Sequence, residues 1–498
     1  MSQLRLRPLG RHGVSFSQRL QEIREGFHGP FWVANITELF ERLAYYATFS
    51  VLVIYLHENL KFTEAQAGDL AGFFSAVVWF LPILGGTLAD WLGFRRSLAL
   101  AYFVLAIGYF LLGSLSAPWM APIRDSMPLT NLVVLVLFIP ALGPAVVKPC
   151  VVGTTARASN EKVRSLGYSI YYTLVNVGST LGPLTALAVR RSIGIENVFR
   201  VSAVCAILMF LAVLILFREP GKSDDQKVAS IGQAIDNLRV VMGPRLFWLT
   251  IAALTLKIAE FFLDFSSPVW IWLGLLGAAL FSLNRFVGFL VIFSGYWIIF
   301  WQEFIALPLF LRGQVNPNSD VEFLLTVDPL AVILLQIAVS QWTKRIPSFP
   351  AMTLGTIVSA LAWVIFAVAN LGWQVNGAWQ IGPWRLEIIA VPIWGIVALF
   401  VLALGEMIQS PRFYEYVSRL APPGQQGVYM GFAFLPIAIG SATAGVIGGR
   451  LVEYFGASGR QPQHMWWVVA AIGLLTALLM WTYDRIFKPG EQQGKNKG

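Results

Sequence analysis

Long apolar segments follow one another from residue 31 to residue 487 of this 498-residue chain. Each is long enough, at about 20 residues, to cross the ~30 Å hydrocarbon core of a bilayer as a helix. Only 13% of the residues are charged and 56% are hydrophobic, whereas soluble proteins contain about 25% charged residues. The sequence therefore predicts an all-α polytopic membrane protein.

The apolar segments fall into groups of six, two and six, which predicts about 14 transmembrane helices. The predicted parts in chain order are a tail at 1–30, a six-helix bundle at 31–217, a hydrophilic linker at 218–245, two extra helices at 246–284, a second six-helix bundle at 285–487 and a tail at 488–498. Two bundles with a binding cavity between them are typical of secondary transporters. A re-entrant or peripheral hairpin at 246–284 would fit the same pattern.

Lys and Arg residues concentrate at segment ends and in the tails, so the net charge of +9 does not require a nucleic-acid partner. Loops expected on the cytoplasmic side contain, among others, Arg95, Arg96, Lys344 and Arg345. Because cytoplasmic loops are enriched in positive charge, this bias predicts a multi-pass protein of the cell membrane with both termini in the cytoplasm.

The first apolar segment contains three charged residues within five positions. Glu38, Glu41, Arg42 and Tyr45 have the spacing i, i+3, i+4 and i+7 and so share one helix face. Charge inside a membrane costs a few kcal/mol or more per residue and usually faces a bundle interior or a water-filled cavity. A surface ion pair on a soluble helix is the alternative, but the flanking sequence is apolar for too long. The segment is predicted to line a polar pathway.

The stretch from Glu38 to Tyr46 resembles the E-x-x-E-R-F-x-Y-Y signature of the proton-coupled oligopeptide transporter family of the major facilitator superfamily. Further stretches are similar to known motifs: residues 85–96 to the superfamily's G-x-x-A-D loop, Lys148-Pro149 to the family's K-P-N, 171–179 to Y-x-x-I-N-x-G-S, 296–302 to F-W-x-x-x-E-Q and 405–411 to G-E-x-x-x-S-P. The resemblance covers most of the chain. It implies a major facilitator fold, with two six-helix bundles plus two extra helices between them.

The resemblance also implies roles for individual residues. Proton coupling would involve Glu38, Glu41, Arg42 and Lys148, and peptide binding would involve Arg42, Tyr45, Tyr46, Trp79, Lys148, Asn176, Trp297, Glu406 and Ser410. The helical rise places Arg42 and Lys148 at similar depth. Protonating a carboxylate would release its partner cation to bind a substrate carboxylate, while Glu406 in the other half would bind an amine.

Purely structural roles remain as alternatives for these residues. The first-segment charges could form a buried structural pair, Glu406 could be a packing carboxylate or one that stays protonated, and the tyrosines could pack or anchor at the interface. Ser410 fits a helix interface better than a ligand contact.

The chain departs from the family pattern at several positions. Trp301 stands where the seventh helix of the family has an acidic coupling residue, and Trp79 stands where the second helix has a cavity tyrosine. Glu303 lies two positions beyond Trp301, about 200° around a helix, which predicts that it cannot simply replace the missing acid. Asp328 is the other secondary coupling candidate, with a helix cap or a local contact as the alternative. Cys150 replaces the asparagine of K-P-N.

The expected function is proton-coupled symport of di- and tripeptides or peptide-like molecules, with protons as the coupling ion, no cofactor, and a monomer as the expected state. A proton-linked carrier of another substrate, such as nitrate, a drug or an amino-acid conjugate, is the main alternative. A non-transporting scaffold or receptor is a further alternative. An enzyme is not expected, because no nucleophile–base set stands out. ATP-driven transport has no support, because the complete G-x-x-x-x-G-K-[ST] phosphate-binding motif does not occur.

Overall fold

The computed structural model describes residues 26–83, 92–161, 163–219, 231–263, 267–369, 377–381, 384–388, 390–422, 426–457 and 460–487. Residues 1–25 and 488–498 of the predicted tails, most of the predicted 85–96 motif loop and residues 220–230 of the predicted linker lie outside these ranges. The predicted residues of the binding site all lie inside them.

The first half of the chain forms long helices joined by short connections. They are α1 (Gly29–Ile54), α2 (Glu64–Phe80), α3 (Phe94–Leu112), the short α4 (Ala121–Arg124), α5 (Leu129–Arg157), α6 (Arg164–Ile193) and α7 (Glu196–Leu216). Local sequence sets their starts. Pro30 lies in the first turn of α1, where its missing N–H has no intrahelical partner to lose. Thr63 and Gln66 form a reciprocal capping box at the start of α2.

The middle and second half contain more broken helices. They are α8 (Ile231–Met242), α9 (Pro244–Leu263), α10 (Val269–Phe281), α11 (Arg285–Phe300), α12 (Ala306–Phe310), α13 (Val321–Leu324), α14 (Val327–Trp342), α15 (Ser348–Ala369), α16 (Ala390–Leu420), α17 (Gln426–Phe432), α18 (Leu435–Gly456) and α19 (Met465–Phe487). An antiparallel hairpin of β1 (Gly377–Ile381) and β2 (Trp384–Ile388) joins α15 to α16, with Ile381 opposite Trp384. This hairpin was not anticipated by the sequence pattern.

Ten helices of the described ranges are long and apolar enough to cross a membrane, or eleven if the bent pair 235–242 and 244–260 is one span. Three predicted spans fail this test for identifiable reasons. The described part of α2 has 17 residues, and the 30-residue α6 is rich in polar side chains. The 13 residues of α10 reach only about 20 Å. The polytopic helical fold is therefore confirmed. Three details stay predictions: the count of about 14 transmembrane helices, the linker at 218–245 and the membrane crossing of 246–284.

The outer surfaces of the long helices expose large apolar side chains, including Leu208, Ile215, Ile337 and Leu478. Isolated apolar side chains are common on soluble proteins, but here they recur along whole helix faces. Hydrocarbon tails would cover such faces at no cost, since lipid is as apolar as leucine. The exposed surface therefore fits a bilayer environment.

The two halves meet through glycine-lined helix packing between α2 and α18. A Cβ atom added at Gly72 would lie 2.9 Å from the Cα of Gly445, and one added at Gly68 would lie 3.0 Å from the Cα of Gly449. Glycine permits backbones to approach this closely because it has no side chain. The halves are therefore in backbone contact along this seam.

Ion pairs join the halves at one end of the molecule, which we call the paired end. Arg312 binds Glu58 at 2.6 Å and Arg450 binds Asp69 at 2.6 Å. Arg190 binds the buried Glu322, with Nη2 to Oε2 at 3.0 Å. Asp320 accepts from Arg190 at 3.1 Å and from Arg191 at 3.0 Å. The other ion pairs within the described ranges connect residues close in sequence. Charge pairing therefore closes one end of the interface.

Candidate functional site

Three charged side chains of α1 form a buried cluster inside the first half. Glu38 and Glu41 are completely buried, and Arg42 is 2% exposed. The Nε atom of Arg42 lies 3.6 Å from a carboxylate oxygen of Glu38, and its guanidinium contacts the Glu41 carboxylate directly. The helix places the three groups together because they share one face, as the spacing predicts. Arg42 therefore neutralises charge on both neighbouring acids.

Lys148 of α5 lies beside this cluster without joining it. Its ammonium group interacts electrostatically with Glu38, Glu41 and Arg42, yet the contact that defines its position is aromatic. The Nζ atom lies 3.5 Å from the ring centroid of Trp79 on α2 and 5.5 Å from that of Phe434. Both cations predicted from the sequence therefore reach one region, and of the two, Arg42 is the one ion-paired with a carboxylate among the described residues.

The second half presents acidic groups to the same interface. The carboxyl groups of Asp328 and Glu406 lie within hydrogen-bonding reach of each other. The Glu303 carboxylate is completely buried, has no hydrogen-bond partner and interacts electrostatically with both acids. No Lys or Arg within the described ranges forms an ion pair with any of these three residues. We call Glu303, Asp328 and Glu406 the acid group.

The acid group faces the first half across the interface. The hydroxyl groups of Tyr46 on α1 and Tyr172 on α6 both lie within electrostatic range of Glu406 and Asp328. Cations in the first half therefore lie opposite carboxylates in the second half. The sequence predicted this arrangement with Glu406 as the single carboxylate, and Glu303 and Asp328 join it. Asp328 lies two positions after the N-cap residue Thr326, and its Oδ1 atom has no hydrogen-bond partner. A helix cap or a local contact stays the alternative to a coupling role.

Aromatic rings fill the interface on the side of the α1 cluster that faces the paired end. Trp301 is 2% exposed and packs against Phe49 at 5.1 Å, Phe304 at 5.4 Å and Trp79 at 6.4 Å between ring centroids. Phe49 lies seven residues beyond Arg42, about 10 Å along α1. The position where the resembling family has an acid is thus occupied by an indole in an apolar cluster, and it cannot exchange a proton.

The remaining predicted binding residues differ in how they are placed. Tyr45 is completely buried and packs edge-on against Tyr46 at 5.2 Å. Trp297 is 8% exposed, and its indole N–H has no partner. Asn176 donates its amide to the carbonyl of Tyr172 at 2.9 Å. Ser410 accepts from its neighbour Gln409 at 2.8 Å.

Two features of the site were missed by the sequence reasoning. Phe434 was not singled out, because no charge or motif marks it. Glu322 and Arg190 were not paired, because 132 positions separate them. Groups of three or more His, Cys, Asp or Glu side chains that could hold a metal ion are not found in the described part of the chain.

Comparison with known proteins supports the family suggested by the motifs. The model of the Major Facilitator Superfamily matches residues 35–304 and 286–498, which together cover more than half of the chain. The chain is 24% identical over 458 residues to dipeptide and tripeptide permease B of Edwardsiella piscicida, covering 85% of this chain and 86% of the relative. It is 22% identical over 489 residues to the di-/tripeptide transporter of Lactococcus lactis, covering 89% and 92%.

Solved structures share the fold. A POT family transporter in complex with a thioalcohol-conjugated peptide superposes with a TM-score of 0.69 at 17% identity, covering 91% of this chain and 96% of that one. The peptide transporter POT in complex with sulfate gives 0.68 at 19% identity, covering 92% and 94%. The resemblance to oligopeptide transporters is thereby confirmed, and the chain belongs to the major facilitator superfamily of multi-pass membrane transporters.

Proposed function

We propose that this protein imports di- and tripeptides or peptide-like molecules by proton-coupled symport. The observation that supports this most directly is the charge separation across the interface. Lys148 lies in one half, and the acid group, without an ion-paired cation among the described residues, lies in the other. A peptide at neutral pH has a carboxylate at one end and an ammonium at the other, so it would satisfy both sides at once.

Proton coupling is proposed to use the α1 cluster. Protonation of Glu41 removes the charge that holds the Arg42 guanidinium, and Arg42 is then able to turn toward a substrate carboxylate. Glu38 keeps a second carboxylate near Arg42 at 3.6 Å. Because Trp301 cannot take a proton, Glu303 and Asp328 are proposed as the secondary coupling sites. Their burial makes each a costly place for an unpaired negative charge.

The paired end is proposed to face the outside of the cell membrane, with both termini in the cytoplasm. The basic loops predicted for the cytoplasmic side lie at the opposite ends of the helices. Substrate would leave toward the cytoplasm from this arrangement and enter after the halves rock apart at the paired end. The glycine seam and the ion pairs would then have to open together. A monomer, containing one complete interface, is the proposed functional unit.

Uptake into proteoliposomes tests the proposed function. Labelled dialanine is expected to accumulate when the lumen is more alkaline than the bath, and to equilibrate without accumulation when the pH is equal. N-acetyl-dialanine, which lacks the ammonium group that the acid group would bind, is expected to accumulate less. If no peptide of a varied library accumulates under the gradient, peptide symport is refuted.

Replacement Glu322→Gln is expected to weaken closure of the paired end. The substitution removes the charge of the buried carboxylate that binds Arg190, so Arg190 keeps only Asp320, among the described residues, as an acidic partner across the interface. Spin labels at the exposed positions Lys61 and Asn318, one in each half, would report the distance across this end in a variant lacking Cys150 and Cys205. A longer-distance population should appear.

The matched control for this prediction is Glu415→Gln. Glu415 is also paired with arginines, Arg412 and Arg419, but both lie on its own helix. Its distance distribution should match that of the parent protein. An unchanged distribution for Glu322→Gln, or an equal change in both variants, would contradict a closing role for the Arg190–Glu322 pair.

A further inference from the structure

The two cations of the first half differ in what surrounds their charge. Arg42 contacts the carboxylate of Glu41 and lies near that of Glu38. Lys148 has its ammonium 3.5 Å from the centre of the Trp79 ring, and no ion pair of the described ranges includes it. Two carboxylates are nevertheless close enough to attract it electrostatically. The nearest described partner of the Lys148 ammonium is thus an indole ring and not a carboxylate.

A second aromatic ring near Lys148 comes from the second half of the chain. Phe434, which immediately precedes α18, has its ring centroid 5.5 Å from the Lys148 ammonium and 5.9 Å from the Trp79 ring. Trp79 also packs against Trp301 at 6.4 Å. The orientation of the indole is thus fixed by rings of the opposite half. Trp79 and Phe434 together form what we call the lysine cage.

An aromatic cage has a different consequence for the charge than a carboxylate partner. A ring face attracts a cation through its quadrupole but cancels none of the net charge. The ammonium group also has three N–H donors, and the ring covers only one side of it. When Lys148 is protonated, the rings therefore leave its positive charge uncompensated and N–H donors available for an incoming anion. A carboxylate partner such as Glu38 or Glu41 would instead offset that charge and occupy at least one donor.

We propose that Trp79, with Phe434 opposite, positions Lys148 as the receptor for the carboxylate of the substrate. This inference rests on the proposed function, since it assumes a substrate with a carboxylate. Trp79 is a positioning residue, because it acts through Lys148. The lysine cage is complete only while Phe434 lies against the first half. The position of the Lys148 ammonium group therefore depends on how the two halves are arranged.

Replacement Trp79→Leu tests the cage through a comparison of two substrates. Without the indole, Lys148 is expected to move onto the α1 carboxylates and lose its affinity for anions. The KM for dialanine in pH-driven uptake should rise about tenfold, equivalent to about 1.4 kcal/mol, with kcat nearly unchanged. The KM for dialanine amide, which has no carboxylate, should stay the same. Trp79→Phe retains a ring face and should recover most of the affinity for dialanine.

Replacement Lys148→Met distinguishes a positioning role from general packing. If Trp79 acts through Lys148, then Trp79→Leu should cause no additional rise in KM when Lys148 is already replaced. Three results would each refute the positioning role of Trp79. They are an equal rise in KM for dialanine and its amide in Trp79→Leu, a full additional rise when Trp79→Leu is added to Lys148→Met, and an unchanged KM for dialanine in Trp79→Leu. If the unmodified protein accumulates neither peptide, the proposed function fails instead, so the two failures are distinguishable.

Discussion

Replacement Glu41→Gln is expected to produce a carrier that exchanges peptide but no longer accumulates it. Glutamine has nearly the shape of glutamate but cannot change its charge, so Arg42 would face one fixed neutral partner at every pH. Glu41 is completely buried and contacts Arg42 directly, so its protonation state has a large effect on that guanidinium. Accumulation of labelled dialanine under an imposed pH gradient should therefore disappear.

Counterflow provides the complementary measurement. Exchange of internal unlabelled peptide for external labelled peptide requires both conformations but no net proton movement, so it should persist in Glu41→Gln. The control is Glu260→Gln on α9, which removes a carboxylate that binds Lys257 at 2.9 Å and accepts hydrogen bonds from Ser267 and Trp272. That variant should accumulate peptide normally. If Glu41→Gln still accumulates peptide, coupling must reside elsewhere, and Glu303 and Asp328 become the residues to replace.

The local part of this site was predictable from the sequence. Glu38, Glu41 and Arg42 lie on one helix, so their spacing alone fixes a common face, and the apolar flanks require that face to be buried. The family motif added Lys148 and Glu406 at matching depth. These predictions work because they depend on helical periodicity and on rise per residue, which hold wherever a helix is continuous.

Contacts between distant helices show where such reasoning stops. Residues 301–303 form a 3₁₀ turn, in which two residues rotate by about 240° instead of 200°, so Glu303 still points away from Trp301. That Glu303 meets Asp328 and Glu406 depends on how α11, α14 and α16 pack together, which helical periodicity does not give. The lysine cage was equally inaccessible, because it depends on how α5, α2 and the chain before α18 meet in space.

Replacement Gly445→Ala is expected to prevent the closed arrangement of the paired end. The added methyl group would lie 2.7 Å from the Cα of Gly72 and in contact with the carbonyl oxygen of Gly68. Both are backbone atoms, so no side chain can rotate away, and α2 and α18 would have to separate. Overpacking of this kind typically costs about 1–3 kcal/mol. A cost of about 1.4 kcal/mol already changes a conformational equilibrium tenfold.

Labels at Lys61 and Asn318 should therefore show a longer distance in Gly445→Ala, and peptide uptake should fall because the state that releases substrate becomes rare. The matched control is Gly313→Ala, near the same end, where an added Cβ meets no atom within 4 Å. It should change neither distance nor uptake. A normal distance in Gly445→Ala would mean that α2 and α18 can separate without opening the paired end. The ion pairs would then close that end by themselves, and Glu322→Gln should have the larger effect of the two substitutions.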